Sequence, residues 1–172
     1  MKALIQNVSE ARVDVDGSTV GQIGRGLLVF LGVMKEDTDE DLNYLIDKVT
    51  NLRLFQHFDT ESNKEKYFDK SILDVVDLYP HIGKTNSQIG ILVVSQFTLC
   101  ASTKNGRRPG FDNAAAPEVA KEMYEKFVQK LRSTNTANGE PLNVAEGQFQ
   151  AHMQVSLVND GPITITLDSR DR

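Results

Sequence analysis

Cysteine is nearly missing from this chain. Cys100 stands alone among 172 residues, so no disulfide forms within it. A lone thiol suits a reducing compartment, and the cytoplasm is the expected location. There is no tryptophan, and His57, His81 and His152 are scattered without the spacing of a metal site. No cofactor and no metal are expected. No apolar run is long enough to cross a bilayer, so no membrane partner is expected either. The opening Met1-Lys-Ala-Leu-Ile-Gln-Asn7 turns polar too early for a secretory signal. Positive charge is also short, with 19 Lys and Arg against 24 Asp and Glu. The net charge of −5 argues against a protein that coats DNA or RNA by charge alone. A small contact with the end of an RNA is compatible with it.

Familiar catalytic patterns are missing too. No glycine-rich phosphate loop follows a strand, and Ser95 lacks the Gly-x-Ser-x-Gly surround of a nucleophile elbow. Cys100 reads as a small half-buried filler rather than a nucleophile. What remains for an enzyme is positioning and backbone hydrogen bonding.

Hydrophobic residues make up 40% of the chain and charged residues 25%, an ordinary balance for a globular protein. The length suits one domain, residues 1–172. Lys2 to Val8 reads as a strand. Arg12 to Val15 and Thr19 to Ile23 read as a hairpin around Asp16-Gly17. Leu27 to Val33 is apolar on both faces and predicts a central strand. Thr38 and Asp41 suggest a capped helix start, and Leu42, Leu45, Ile46, Val49 and Leu52 recur at helical spacing. Leu52 to Phe58 looks like a strand, and Asp59 to Lys70 a solvated loop. Ser71 to Gln88 reads as an irregular excursion, with Ile72 to Leu78 open to strand or helix.

Gly90 to Leu99 predicts a strand that is apolar first and polar at its end, with Gln96 and Thr98 on one face. A second helix begins at Pro117, with Val119, Met123, Phe127, Val128 and Leu131 as its core stripe. Met153 to Thr164 reads as a strand, a turn at Asn159-Asp160-Gly161, and a returning strand. Two helices and roughly seven or eight strands suggest an α+β fold, a curled barrel-like mixed sheet with two packed helices.

Two stretches carry a resemblance. Ser95-Gln-Phe-Thr-Leu99, with Lys104-Asn-Gly-Arg-Arg-Pro109 and Phe111, resembles one signature of the D-aminoacyl-tRNA deacylases. Met153-Gln-Val-Ser-Leu-Val-Asn-Asp-Gly-Pro-Ile-Thr164 resembles the other. The resemblance implies a homodimer that hydrolyses the ester between a D-amino acid and the tRNA 3′ end. It implies a cis Gly161-Pro162 pair that enters the partner's pocket, orients the ammonium group and leaves no room for an L side chain. Such a pocket also admits glycine, as on mischarged alanine tRNA.

The resemblance places Ser95, Gln96, Phe97 and Thr98 at the catalytic wall, with main-chain N–H groups of Gln96 to Thr98 as oxyanion donors. Thr98 positions rather than attacks, and the RNA 2′-OH assists water. Asn159, Phe149 and Met153 join Gly161 and Pro162 in substrate binding, although Phe149 and Met153 read equally as plain core. Lys104, Arg107 and Arg108 are the RNA-phosphate contacts, against the plainer reading of a solvated charged loop. The chain departs from the family at Asn7, where Arg is usual, and in a longer link over residues 70–88. The alternative reading is a non-catalytic dimeric module that binds charged tRNA 3′ ends.

Overall fold

Asp16 and Gly17 both take positive φ, at 49° and 78°, and fold β1 (Lys2–Val15) back on β2 (Ser18–Ile23). The computed structural model describes residues 1–79, 89–104 and 106–172. After β2 come β3 (Gly26–Gly32), α1 (Asp39–Asn51), β4 (Phe55–Asp59), β5 (Lys64–Lys70) and α2 (Ile72–Leu78). Then follow β6 (Gly90–Ser95), a 3-10 turn (Phe97–Cys100), α3 (Pro117–Arg132), β7 (Val144–Glu146) and β8 (Gln154–Asp168). Of the irregular excursion expected over Ser71 to Gln88, residues 80–88, His81 among them, lie outside the described residues.

The main sheet runs β2-β1-β3-β6-β7, and β8 pairs along the other side of β1. It is mixed, with β3–β6 and β6–β7 parallel and the β1 pairings antiparallel. The sheet curls into a nearly closed barrel, bringing β7 back toward β2. A Cβ on Gly21 would lie 2.4 Å from the Glu146 carbonyl oxygen, so the approach needs glycine. Both faces of β3 and β6 are buried. Leu27, Val29, Leu31, Ile91 and Val93 pack with the helices, through Leu42, Leu45, Phe127 and Leu131. Leu28, Leu92 and Val94 pack inside the curl with Val13, Met153 and Val155. Each such side chain contributes about 1.5–3 kcal/mol of burial.

Several expectations are corrected. Lys2–Val8 and Arg12–Val15 belong to one strand, in which an extra residue at Ser9 resets which face is buried. Lys64–Lys70 is a strand rather than a loop, paired with β4. Asp59 closes that hairpin by accepting from the Glu61 N–H and the Ser62 hydroxyl, contacts that charge patterning does not reveal. Leu52 caps α1 instead of opening a strand. Residues 72–78 resolve as a third helix, capped by Ser71 and Asp74. On α3 the buried stripe includes Tyr124, while Val119 is 51% exposed, because Ala120 and not Val119 faces inward.

Candidate active site

Strand β6 stops where its apolar run stops. The N–H of Gln96 donates to the Leu31 carbonyl at 2.8 Å, and the chain then winds into the 3-10 turn, with Leu99 N–H donating to the Gln96 carbonyl. The turn rests on Gly32, where a Cβ would meet Leu99 Cβ at 3.0 Å. The strand expected to reach Leu99 therefore ends at Ser95. Gln96 and Thr98 still meet, as the turn brings the Gln96 amide to donate to the Thr98 hydroxyl oxygen. Because Gln96 N–H is already used in the sheet, it is not an oxyanion donor. The first N–H groups of the turn, on Phe97 and Thr98, have no partner within it.

Ser95, Gln96 and Phe97 form one wall of a cavity of about 520 Å³. Phe149, His152 and Met153 form another part of its wall. The start of α3 supplies Pro117, Ala120 and Tyr124, whose small first two members leave the space open. The interior is largely apolar, with Leu31, Val33 and Val94 below, and polar groups sit at Ser95, Gln96, Gln150 and His152. This matches a site that binds and orients while offering few side chains for proton transfer. Ser95 and His152 share the cavity, but no hydrogen bond joins them among the described residues. Cys100 is buried behind the turn, its thiol donating to the Val33 carbonyl at 3.4 Å. Burial pushes that thiol up in pKa and keeps it from acting as a nucleophile.

Phe97 is 58% exposed at the lip and meets Phe111 edge-on, ring centres 5.0 Å apart. Beyond it, Ser102 and Gly110 exchange two main-chain hydrogen bonds of 2.8 Å, closing a loop that exposes Lys104, Arg107 and Arg108. Asn105 of this loop lies outside the described residues. Among the described residues, no group of three or more His, Cys, Asp or Glu is placed to hold a metal. No helix among them is long and apolar enough to cross a membrane.

The C-terminal segment is not a hairpin. Both halves of β8 pair with β1: Gln154 to Asn159 against Asp14 to Val8, and Thr164 to Asp168 against Gln6 to Lys2. Between the Val8–Asn159 and Gln6–Thr164 pairs, β1 passes only Asn7 while β8 passes residues 160–163. The surplus bulges outward, exposing Asp160, Gly161 and Pro162. Gly161 has φ +117°, and its bond to Pro162 is cis. The Asn159 amide closes the neck of the bulge, donating to the carbonyls of Asn7 and Ile163, both at 3.0 Å. Its amide hydrogens are thereby spent on the main chain, so Asn159 is a clasp rather than a free substrate donor. The Asn7 side chain turns elsewhere, donating to the Leu54 carbonyl at 3.0 Å, and only its main chain braces the bulge. Gly161 and Pro162 do not line the cavity of their own chain, whereas Phe149 and Met153 do.

A family model described as D-Tyr-tRNA(Tyr) deacylase matches residues 4–168. The chain belongs to this family. It is 46% identical over 170 residues to the D-aminoacyl-tRNA deacylase of Thermosipho africanus, covering 99% of this chain and 98% of that one. The D-aminoacyl-tRNA deacylase of Clostridioides difficile is also 46% identical, covering 98% and 97%. Among solved structures, the c-Myc DNA Unwinding Element Binding Protein is 38% identical with a TM-score of 0.78, over 98% of both chains. A probable eukaryotic D-amino acid tRNA deacylase, 18% identical, has a TM-score of 0.70 over 96% and 97%, a likeness of fold alone. Within this family member, sequence reasoning missed Tyr124, which only the inward phase of Ala120 along α3 signals.

Proposed function

We propose that the chain hydrolyses the ester of D-aminoacyl-tRNA as a homodimer, each protomer inserting its Gly161-Pro162 bulge into its partner's cavity. One observation carries this reading: the bulge projects from β8 without lining its own cavity, while that cavity lacks a catalytic side-chain set. Each is half of a site, and a second copy supplies the other half. In the joined site the bulge's carbonyls hold the substrate ammonium, and an L side chain would run into the bulge. Glycine has no side chain to collide, so glycyl-tRNA is also cleaved.

The ester carbonyl lies against the Phe97 and Thr98 N–H groups, which stabilise the developing oxyanion. Ser95 and Gln96 complete that wall. The Thr98 oxygen already accepts from Gln96, which leaves its own proton free to donate and suits it to positioning. The ribose 2′-OH beside the scissile bond assists the attacking water. Phe149 and Met153 bound the space for the 3′ end, and Lys104, Arg107 and Arg108 meet phosphates.

The test is release of D-tyrosine from D-tyrosyl-tRNA beside L-tyrosine from L-tyrosyl-tRNA. Fast release of the first with the second spared supports the reading. Equal release defeats the chirality assignment. Slower release than in buffer alone favours a module that only shelters charged tRNA ends.

A further inference from the structure

The Val93 carbonyl accepts two hydrogen bonds, from the Gly147 N–H and from the Tyr124 hydroxyl, both at 2.9 Å. Three separate segments meet at that oxygen. Val93 lies two residues before Ser95 and leads into the Ser95–Phe97 wall. Gly147 lies two residues before Phe149 and leads into the Phe149–Met153 part of the wall. Tyr124 belongs to α3 and lines the same cavity. Its ring also packs against Phe149, centres 5.8 Å apart and planes tilted by 45°. One side chain thus packs its ring on Phe149 and hydrogen-bonds the strand residue two positions before Ser95.

Packing alone does not call for this hydroxyl. Tyr124 is 2% exposed within an apolar stripe that includes Phe127, Val128 and Leu131. Burying a hydroxyl there is unfavourable unless it is hydrogen-bonded, and a phenylalanine would fill nearly the same volume. What the hydroxyl adds is direction: it fixes the ring relative to the end of β6. Burial pushes the phenol well above its ordinary pKa, so the group remains a neutral donor.

We infer that Tyr124 is a positioning residue for ester hydrolysis, holding Phe149 in register with the Ser95–Phe97 wall. This rests on the function proposed above. Tyr124 touches no reacting atom. It sets the separation of groups that do, and small misplacements there are expressed in turnover.

The experiment compares Tyr124→Phe and Leu131→Ala in the full-length chain, with kcat, KM and melting temperature measured on D-tyrosyl-tRNA. Tyr124→Phe leaves Val93 one donor, Gly147, so the fold persists. The expected result is a fall in kcat of about fivefold to tenfold with KM changed by less than about twofold. Leu131→Ala empties a core position on the same helix, away from the cavity lining, and is expected to lower the melting temperature at least as much with kcat unchanged. Unchanged kcat in Tyr124→Phe overturns the inference while wild-type activity leaves the underlying function standing. An equal kcat loss in Leu131→Ala also overturns it, since turnover would then follow stability. A wild-type chain that does not release D-tyrosine removes the proposed function, and this inference with it.

Discussion

The Asn159 side-chain amide donates to the Asn7 carbonyl at 3.0 Å, across the neck of the bulge that carries Gly161 and Pro162. The same amide donates to the Ile163 carbonyl, so one side chain joins both ends of the excursion to the neighbouring strand. Asn7 in turn is 4% exposed and anchored by its own amide to Leu54. The bulge is therefore tethered to the body of the fold through two asparagines.

Replacing Asn159 by alanine removes both donors and leaves two part-buried carbonyls short of a partner. Stability should fall by about 1–3 kcal/mol. Loss of the clasp also frees the bulge to shift, so the preference for D- over L-tyrosyl-tRNA should narrow. Urea unfolding midpoints measure the first effect, and paired deacylation rates the second. A variant with wild-type chiral preference would show that the clasp does not set the bulge's position.

Thr98→Ala should retain most of the single-turnover rate, with a loss within about tenfold, because the hydroxyl orients rather than attacks. Among the described residues no base is bonded to that oxygen; its neighbour Gln96 donates to it. Complete loss of turnover in a folded variant would identify the hydroxyl as the nucleophile.

Removing Arg107 and Arg108 together should raise KM for D-tyrosyl-tRNA and spare turnover of D-tyrosyl-adenosine, which carries no chain of phosphates. The dependence of tRNA binding on salt should become shallower, by about one unit of logarithmic slope for each phosphate that is no longer neutralised. Rates measured across a potassium chloride series read this directly. Equal loss on both substrates would move these arginines from RNA binding to the site itself.

Asp41 gives the fold an acid dependence. Burial pushes its pKa up, but hydrogen bonds from the Thr38 N–H, Ser169 and the Thr38 hydroxyl outweigh it and bring the group from 3.8 down to about 2. The folded chain thus binds this proton more weakly than the unfolded chain. The resulting stability is complete above pH 3.8 and is lost as pH falls through about 2. Asp41→Asn should lower the urea midpoint near neutral pH, with the gap to wild type closing in acid. A gap that persists unchanged at low pH would show that the carboxylate's charge is not what α1 relies on.

Local chemistry was readable where neighbours in sequence are neighbours in space. The Asp16-Gly17 turn, the Thr38–Asp41 cap and the doubly apolar β3 and β6 all follow from short-range rules. The family signatures were readable for the same reason, as continuous runs of residues. Tyr124 was not, since its partner Val93 is 31 positions away. Lys64 to Lys70 is not legible as a strand because charges mark solvent on both faces of a two-stranded ribbon and leave no apolar alternation to detect.

Residues 154–168 mark the boundary most sharply. Their alternation and the Asn-Asp-Gly-Pro interruption are properties of the chain alone, and they dictate two extended stretches with a break between. Period-2 alternation names a buried face but no partner, so a hairpin and a bulged single strand look alike in one dimension. The choice came from β1, long enough to pair with both halves and short by residues 160–163 opposite Asn7. That mismatch in length between two paired strands, a property of neither strand alone, is what pushes Gly161 and Pro162 out of the sheet.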